Sequence, residues 1–307
     1  MTKYLIPNMW AGEKGNMPGV GHQFRLWLTG YTLSQKYGCT FVHDPFCGNE
    51  TQDWDGVGRV DVPVSRWEKF LNFGEDELRL SDLDLRENSK IFELNRYSAG
   101  QSVSKWQDSV MRQKCDGNIL IKCPFNQFIR MYWDIYLDNR FKDKYWKRRS
   151  VDPVITPFRK DRMVVGVHVR RCDVTADRYP DRYLPNQYYV NVLRQIREVY
   201  PNAAIHVYSD AKDMNELLEF VPFDVCFNLQ TNIFETFHSL VSSDIFVTGI
   251  GSFSILAAYL SHGVKVTTEW NNAWNNFPES QGIVPVKKNG NLSKEILIRE
   301  VDRCDSI

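Results

Sequence analysis

The stretch Val164-Val-Gly-Val-His168-Val-Arg170-Arg171-Cys172-Asp173 holds the densest chemistry in the chain. An apolar run of strand character ends in a histidine, two arginines and a carboxylate. Parallel sheets present ligands at the carboxyl ends of their strands. Paired guanidiniums there suit a diphosphate, because Arg stays charged and grips oxyanions in a bidentate fork. Two exposed arginines balanced by Asp173 are the plainer alternative. A second stretch, Asp244-Ile-Phe-Val-Thr-Gly249-Ile-Gly251-Ser252-Phe253-Ser254, reads as a strand, a glycine turn and a helix opened by serines. Free N–H groups at a helix start attract anions, and Ser252 could cap the helix or donate to a phosphate. Either stretch alone could be structural. Together in one α/β half they point to a nucleotide diphosphate.

The elements that must position these residues follow from periodicity. Short apolar runs alternate with longer periodic segments, which predicts β/α units. In the first half the pattern predicts strands at 4–9, 39–43, 90–94 and 119–122, with helices at 24–37, 103–112 and 125–146. In the second half it predicts strands at 163–169, 204–208, 224–227, 244–248 and 264–267, between helices at 187–200, 212–220, 232–241 and 254–261. Asn232 with Glu235 has the spacing of a helix start. Four or five such units imply a mostly parallel sheet covered on both faces. A charge-dense run at 142–149, followed by two prolines, places a domain boundary between residues 1–150 and 151–307. The last predicted helix, 293–303, could cross back to the first domain.

Composition narrows the partners. The 38 basic and 38 acidic side chains cancel, so no global field would hold a nucleic acid or an anionic membrane. Any anion must be held locally. Nine Trp, fourteen Tyr and eighteen Phe belong mostly to the core, with a minority suited to stacking on sugar rings. Seven cysteines, an odd number without a CxxC pair, argue for a reducing compartment and against a zinc site. No apolar run is long enough for a membrane span or a signal peptide. The expectation is a cytoplasmic protein, bacterial or viral in origin.

The segments HVRRCD, Tyr188-Tyr189, Val207-Tyr208-Ser209-Asp210 and GSFSILAAYL, in that order, resemble the fucosyltransferase superfamily that uses GDP-fucose. The α1,2 branch is the most similar, with kinship to the α1,6 and O-fucosyl branches. Gly19-Val20-Gly21-His22-Gln23-Phe24 resembles the family's N-terminal glycine turn. Read without the family, those glycines are also part of a dinucleotide fingerprint that lacks its third Gly. The sequence departs from the family at Cys172, His22 and Ile255-Leu256. Residues 44–160 carry no resemblance.

The likeness implies a GT-B fold, an α/β architecture of two Rossmann-like domains facing a cleft, with the acceptor on the N-terminal side. It also implies an inverting transfer of a sugar, L-fucose from GDP-fucose, onto a glycan acceptor without a metal or other cofactor. A transferase on the same scaffold using UDP-xylose, and a non-catalytic sugar-binding relative, are the alternatives. Arg170 would stabilise the leaving diphosphate, and Arg171 would hold the loop by pairing with an acid such as Asp173. Asp177 would take the acceptor proton. His168, Phe253, Ser252 and Ser254 would meet the donor, with Gly21, His22 and Gln23 contributing from the first domain. Asp210 or Glu235 would read the base. Asp53-Trp-Asp55 and Asp82-Leu-Asp84 match the Asp-x-Asp pattern of metal-dependent transferases, but neither closes an apolar strand.

Overall fold

The computed structural model describes residues 2–8, 19–46, 51–54, 59–62, 64–85, 89–93, 112–113, 117–124, 139–154, 156, 158, 161–269 and 282–305. The chain divides into two compact units. The first holds Met1–Thr51 and Val62–Arg148, the second Gln52–Asp61 and Arg149–Ile307. Both are α/β with a parallel sheet, the Rossmann-like pair expected from the sequence.

In the first unit, β1 (Lys3–Asn8) lies between β2 (Thr40–Phe41) and β6 (Ile119–Pro124), with β5 (Lys90–Glu93) outside β6. The separate two-stranded pair of β3 (Thr51–Trp54) and β4 (Arg59–Val62) falls almost wholly in the second unit. Helix α1 (Val20–Tyr37) packs on β1 at Gly30, where an added Cβ would lie 3.1 Å from the Pro7 ring. It stops at Gly38, whose φ of 61° favours glycine. Trp27 on α1 stands edge-on to Phe141 at 4.3 Å, beside Phe41 and Phe73. Its indole N–H donates to His43 Nδ1 (3.0 Å), so Nε2 carries the imidazole proton and meets Glu68 Oε1 at 2.7 Å. Helix α2 (Val64–Leu71) supplies that carboxylate, and α3 (Arg140–Val151) closes the aromatic cluster through Phe141. Neither α2 nor the β3–β4 pair was legible from periodicity. The helix predicted at 103–112 falls almost wholly outside the described residues, as does the first part of that predicted at 125–146.

The second unit holds a six-stranded parallel sheet in the order β12-β11-β10-β7-β8-β9. Its strands are β7 (Val164–Val169), β8 (Ala204–Ser209), β9 (Val225–Leu229), β10 (Ile245–Val247), β11 (Val264–Thr268) and β12 (Ile283–Val286). Counted from β7, this is the doubly wound 3-2-1-4-5-6 arrangement, and the winding reverses between β7 and β10.

Alternation sorts the faces of this sheet. Val165, Val167, Ile205, Val207, Ile245 and Val247 bury one face against α4 (Asn186–Val199) through Tyr189, Leu193 and Ile196. The opposite face carries Gly166 and His168, paired in register with His206 and Tyr208 on β8. Helix α5 (Ile233–Val241) and the residues after it press against Gly166, where a side chain would collide with Ser243. Helix α6 (Ser252–Leu260) follows β10. The final helix, α7 (Lys294–Asp305), buries Leu297 and Val301 in this same core. The segment expected as a helix at 212–220 is a 3-10 helix over Met214–Phe223, tightened where Pro222 removes a backbone donor.

Candidate functional site

The crevice at the winding reversal is built by two turns that close on each other. The strand β7 ends at Val169, and the chain then bends through Arg170-Arg171-Cys172-Asp173. Across from it β10 ends at Val247 and reaches α6 through Thr248-Gly249-Ile250-Gly251. Gly249 is needed for the approach, and Gly251 leaves room for Arg170. A Cβ on Gly249 would lie 3.0 Å from the His168 carbonyl oxygen and 3.2 Å from its Nδ1, and one on Gly251 would lie 3.2 Å from Arg170 Nη1. The two stretches singled out in the sequence, 80 residues apart at Val164 and Asp244, are joined again at their start. There Asp244 Oδ2 accepts from the Val164 amide at 2.7 Å.

His168 is held from three sides. Its Nδ1 lies 2.7 Å from Ser254 Oγ, the Tyr189 hydroxyl donates to its carbonyl at 3.2 Å, and the Phe253 ring sits 5.3 Å away. Phe253 is in turn edge-on to Phe237 of α5. Burial, reinforced by the neighbouring Arg170 charge, pushes the imidazole down to about 3. His168 is therefore neutral at working pH and can donate or accept a single hydrogen bond.

The arginines divide the work differently from the sequence expectation. Asp173 clamps Arg170, receiving Nε at 2.8 Å and Nη2 at 2.5 Å, which leaves Nη1 on the Gly251 side. The pairing holds the Asp173 carboxyl below its usual range despite partial burial. Arg171 does not pair with Asp173. It is buried, donates to Asn186 Oδ1 (2.5 Å) and to the Arg170 carbonyl (2.8 Å), and covers the Tyr183 ring at 4.9 Å. The reason is steric direction: the residue after the strand end turns inward, while Arg170 stays on the crevice side with Asp173 at i+3. That spacing was the available signal for the Arg170 clamp.

Asp210, expected to read a base, serves the same loop. Its Oδ1 accepts from the amides of Arg171 (2.6 Å) and Cys172 (3.2 Å). One carboxylate oxygen is thus committed to pinning the bend after β7. Ser252 opens α6 without a side-chain cap, so the first-turn N–H groups face the Arg170 side with Gly251 as the boundary residue. Asp177 lies exposed on the turn beyond Asp173. Glu235 is exposed in the first turn of α5, which leaves the same carboxyl edge of the sheet after β9, and Asn232 caps that turn.

Gly21, His22 and Gln23 form the first turn of α1 rather than a loop, with Gly19 accepting from the His22 amide at 2.9 Å. Gln23 is fully buried there. Of the Asp-x-Asp pairs, Asp55 lies outside the described residues. Asp82 accepts from the Arg79 amide and the Ser81 hydroxyl as a local cap.

His168, Arg170 and Ser252 thus form a cationic, N–H-rich crevice at the switch point of a doubly wound sheet, the place where such domains hold phosphorylated ligands. Ser254, expected to meet the donor, is instead fully buried and holds His168 from behind. Residues 148–286, which contain all of these side chains, match the family model described as Glycosyl transferase family 11. That match agrees with the likeness to the fucosyltransferase superfamily drawn from HVRR and GSFS. No curated protein matches the chain. Among solved structures it is similar to POFUT1 in complex with GDP, at 11% identity and a TM-score of 0.38, covering 85% of this chain and 94% of that one. The crystal structure of POFUT1 in complex with GDP-fucose gives a TM-score of 0.37 at the same identity and coverage. At that level the likeness does not bear on function.

Proposed function

We propose that the protein is an inverting fucosyltransferase that uses GDP-fucose and a glycan acceptor. The observation that carries the reading is Arg170, held by Asp173 with one guanidinium nitrogen left toward the uncapped start of α6. A diphosphate in that position meets a permanent charge and oriented N–H groups where negative charge grows as the glycosidic bond breaks. In the single displacement, the bond from the anomeric carbon to the diphosphate oxygen breaks as the acceptor oxygen bonds to that carbon. The acceptor proton passes to a base. Asp177, exposed on the same loop, is the proposed base. His168, kept neutral and fixed in place by Ser254, orients the donor, and the charge compensation by Arg170 makes the transfer independent of a metal.

Base selection is assigned to Glu235. Guanine offers two N–H donors to a carboxylate with both oxygens free, and Asp210 has one oxygen occupied by the bend after β7. Uracil offers one such donor. Each charge-assisted bond is worth about 1.5–3 kcal/mol, so GDP and GDP-fucose should raise the melting temperature more than UDP and UDP-xylose at equal concentration, with and without EDTA. The opposite order sinks the fucose donor and favours the xylose alternative. Loss of the response in EDTA, restored by manganese, sinks metal independence.

A further inference from the structure

The opposite edge of the same sheet holds a second concave surface. A groove of about 890 Å³ opens where β8 and β9 begin. Six strand residues separate the start of β8 from its end, a span of about 20 Å, so the groove is distinct from the switch point.

The floor of the groove is His206. It is 7% exposed, and its Nδ1 has no hydrogen-bond partner among the described residues. A buried polar nitrogen left in this way is costly unless something arrives to meet it. The Phe158 ring packs against the imidazole at 5.0 Å, and Arg197 forms a fixed wall by donating to the carbonyls of Pro201, Ala203 and Phe223. Around His206 stand Arg162, Asn202 and Asp224, all exposed and all lining the groove. None of their side chains makes a hydrogen bond or ion pair among the described residues.

The chemistry of this set excludes most ligand classes. Arg162 and Asp224 bring opposite charges, and Asp161 offsets Arg197, so no net field favours an oxyanion. No group of three metal-ligating side chains exists among the described residues. Burial and the Arg162 charge hold His206 below its usual range, so the imidazole offers one neutral donor and one acceptor. Hydroxyl groups, which both donate and accept, match such a nitrogen. Adjacent hydroxyls match a guanidinium, an amide and a carboxylate set side by side, and Phe223 supplies apolar surface for C–H groups.

We propose that this groove binds a neutral sugar unit, with His206, Arg162, Asn202 and Asp224 taking its hydroxyls. It is a carbohydrate subsite separate from the donor crevice, and it stands whether or not the donor is GDP-fucose.

The test is binding of the full chain to an array of neutral, sialylated and sulfated glycans. At least one neutral glycan should bind. Arg162→Ala and Asp224→Asn should each weaken that binding by about tenfold, the effect of losing a charged hydrogen bond. Both residues are exposed, and Asn tolerates the left-handed conformation that Asp224 adopts (φ 50°), so folding is not at stake. Arg170→Ala and saturating GDP should leave the binding unchanged. The proposal fails if no neutral glycan binds, or if only charged glycans bind. It also fails if the groove variants bind like wild type, whatever Arg170→Ala does. Absence of any GDP response would count against the donor assignment alone.

Discussion

Acidification should destabilise this protein well before its carboxylates titrate. The perturbation acts most strongly on two of the three histidines that the fold holds below their usual range, His206 being the third. Burial and Arg170 push His168 down to about 3, and burial with the Arg149 charge pushes His238, on α5, down to about 4. In the unfolded chain each regains the ordinary value of about 6.5. Below that value the unfolded state binds protons that the native state refuses, so stability is constant above pH 6.5 and falls as pH drops toward 4. At about pH 5 each histidine favours unfolding by roughly 2 kcal/mol. Both together give about 2–4 kcal/mol once partial solvent screening at the half-buried His168 is allowed for. That is a large share of a typical stability of about 5–15 kcal/mol. Asp173, whose value is depressed, keeps its contribution down to the ordinary carboxylate value of about 4 and loses it as pH falls from there through its lowered folded value, so the histidine effect above that range is separable from it. Urea melts at constant ionic strength between about pH 7.5 and pH 5 would measure the slope, and His238→Gln should remove roughly half of it. A stability that is flat or rises on acidification through this interval would refute the reasoning.

Other outcomes separate the two arginines and the two turns. Arg170→Ala should lower turnover in a GDP-fucose hydrolysis or transfer assay by about two to three orders of magnitude, with stability changed by less than about 1 kcal/mol because its pair with Asp173 is partly exposed. A variant retaining more than about a third of wild-type turnover would remove Arg170 from the role in charge stabilisation. Arg171→Ala should do the reverse in urea melts, costing about 2–4 kcal/mol by leaving Asn186 and the Arg170 carbonyl without their buried partner. Gly249→Ala should cost about 1–3 kcal/mol and weaken GDP binding in calorimetry, since the added Cβ meets the His168 carbonyl. Wild-type affinity in that variant would mean that the two turns do not form one site.

Strand and helix order in the second half was legible because each buried strand is a short Val- and Ile-rich run between periodic helices. The strand ends bearing His168-Val-Arg170-Arg171 and Thr248-Gly249 were legible for the same reason. Periodicity said nothing of 45–66, where β3, β4 and the first residues of α2 lie, because short paired strands leave no repeating pattern there. The placement of Gly21-His22-Gln23 inside a helix was likewise hidden, since Gly19 can serve as an N-cap as readily as a turn. Residue type alone established that a cation and a helix start could hold a phosphate. Which arginine faces the crevice, and which carboxylate is already bonded to a backbone bend, depended on side-chain direction after β7. The strand order that sets β7 beside β10 brings Gly251 to Arg170 and Ser254 to His168, contacts that exist only through hydrogen bonding between strands 80 residues apart in the chain.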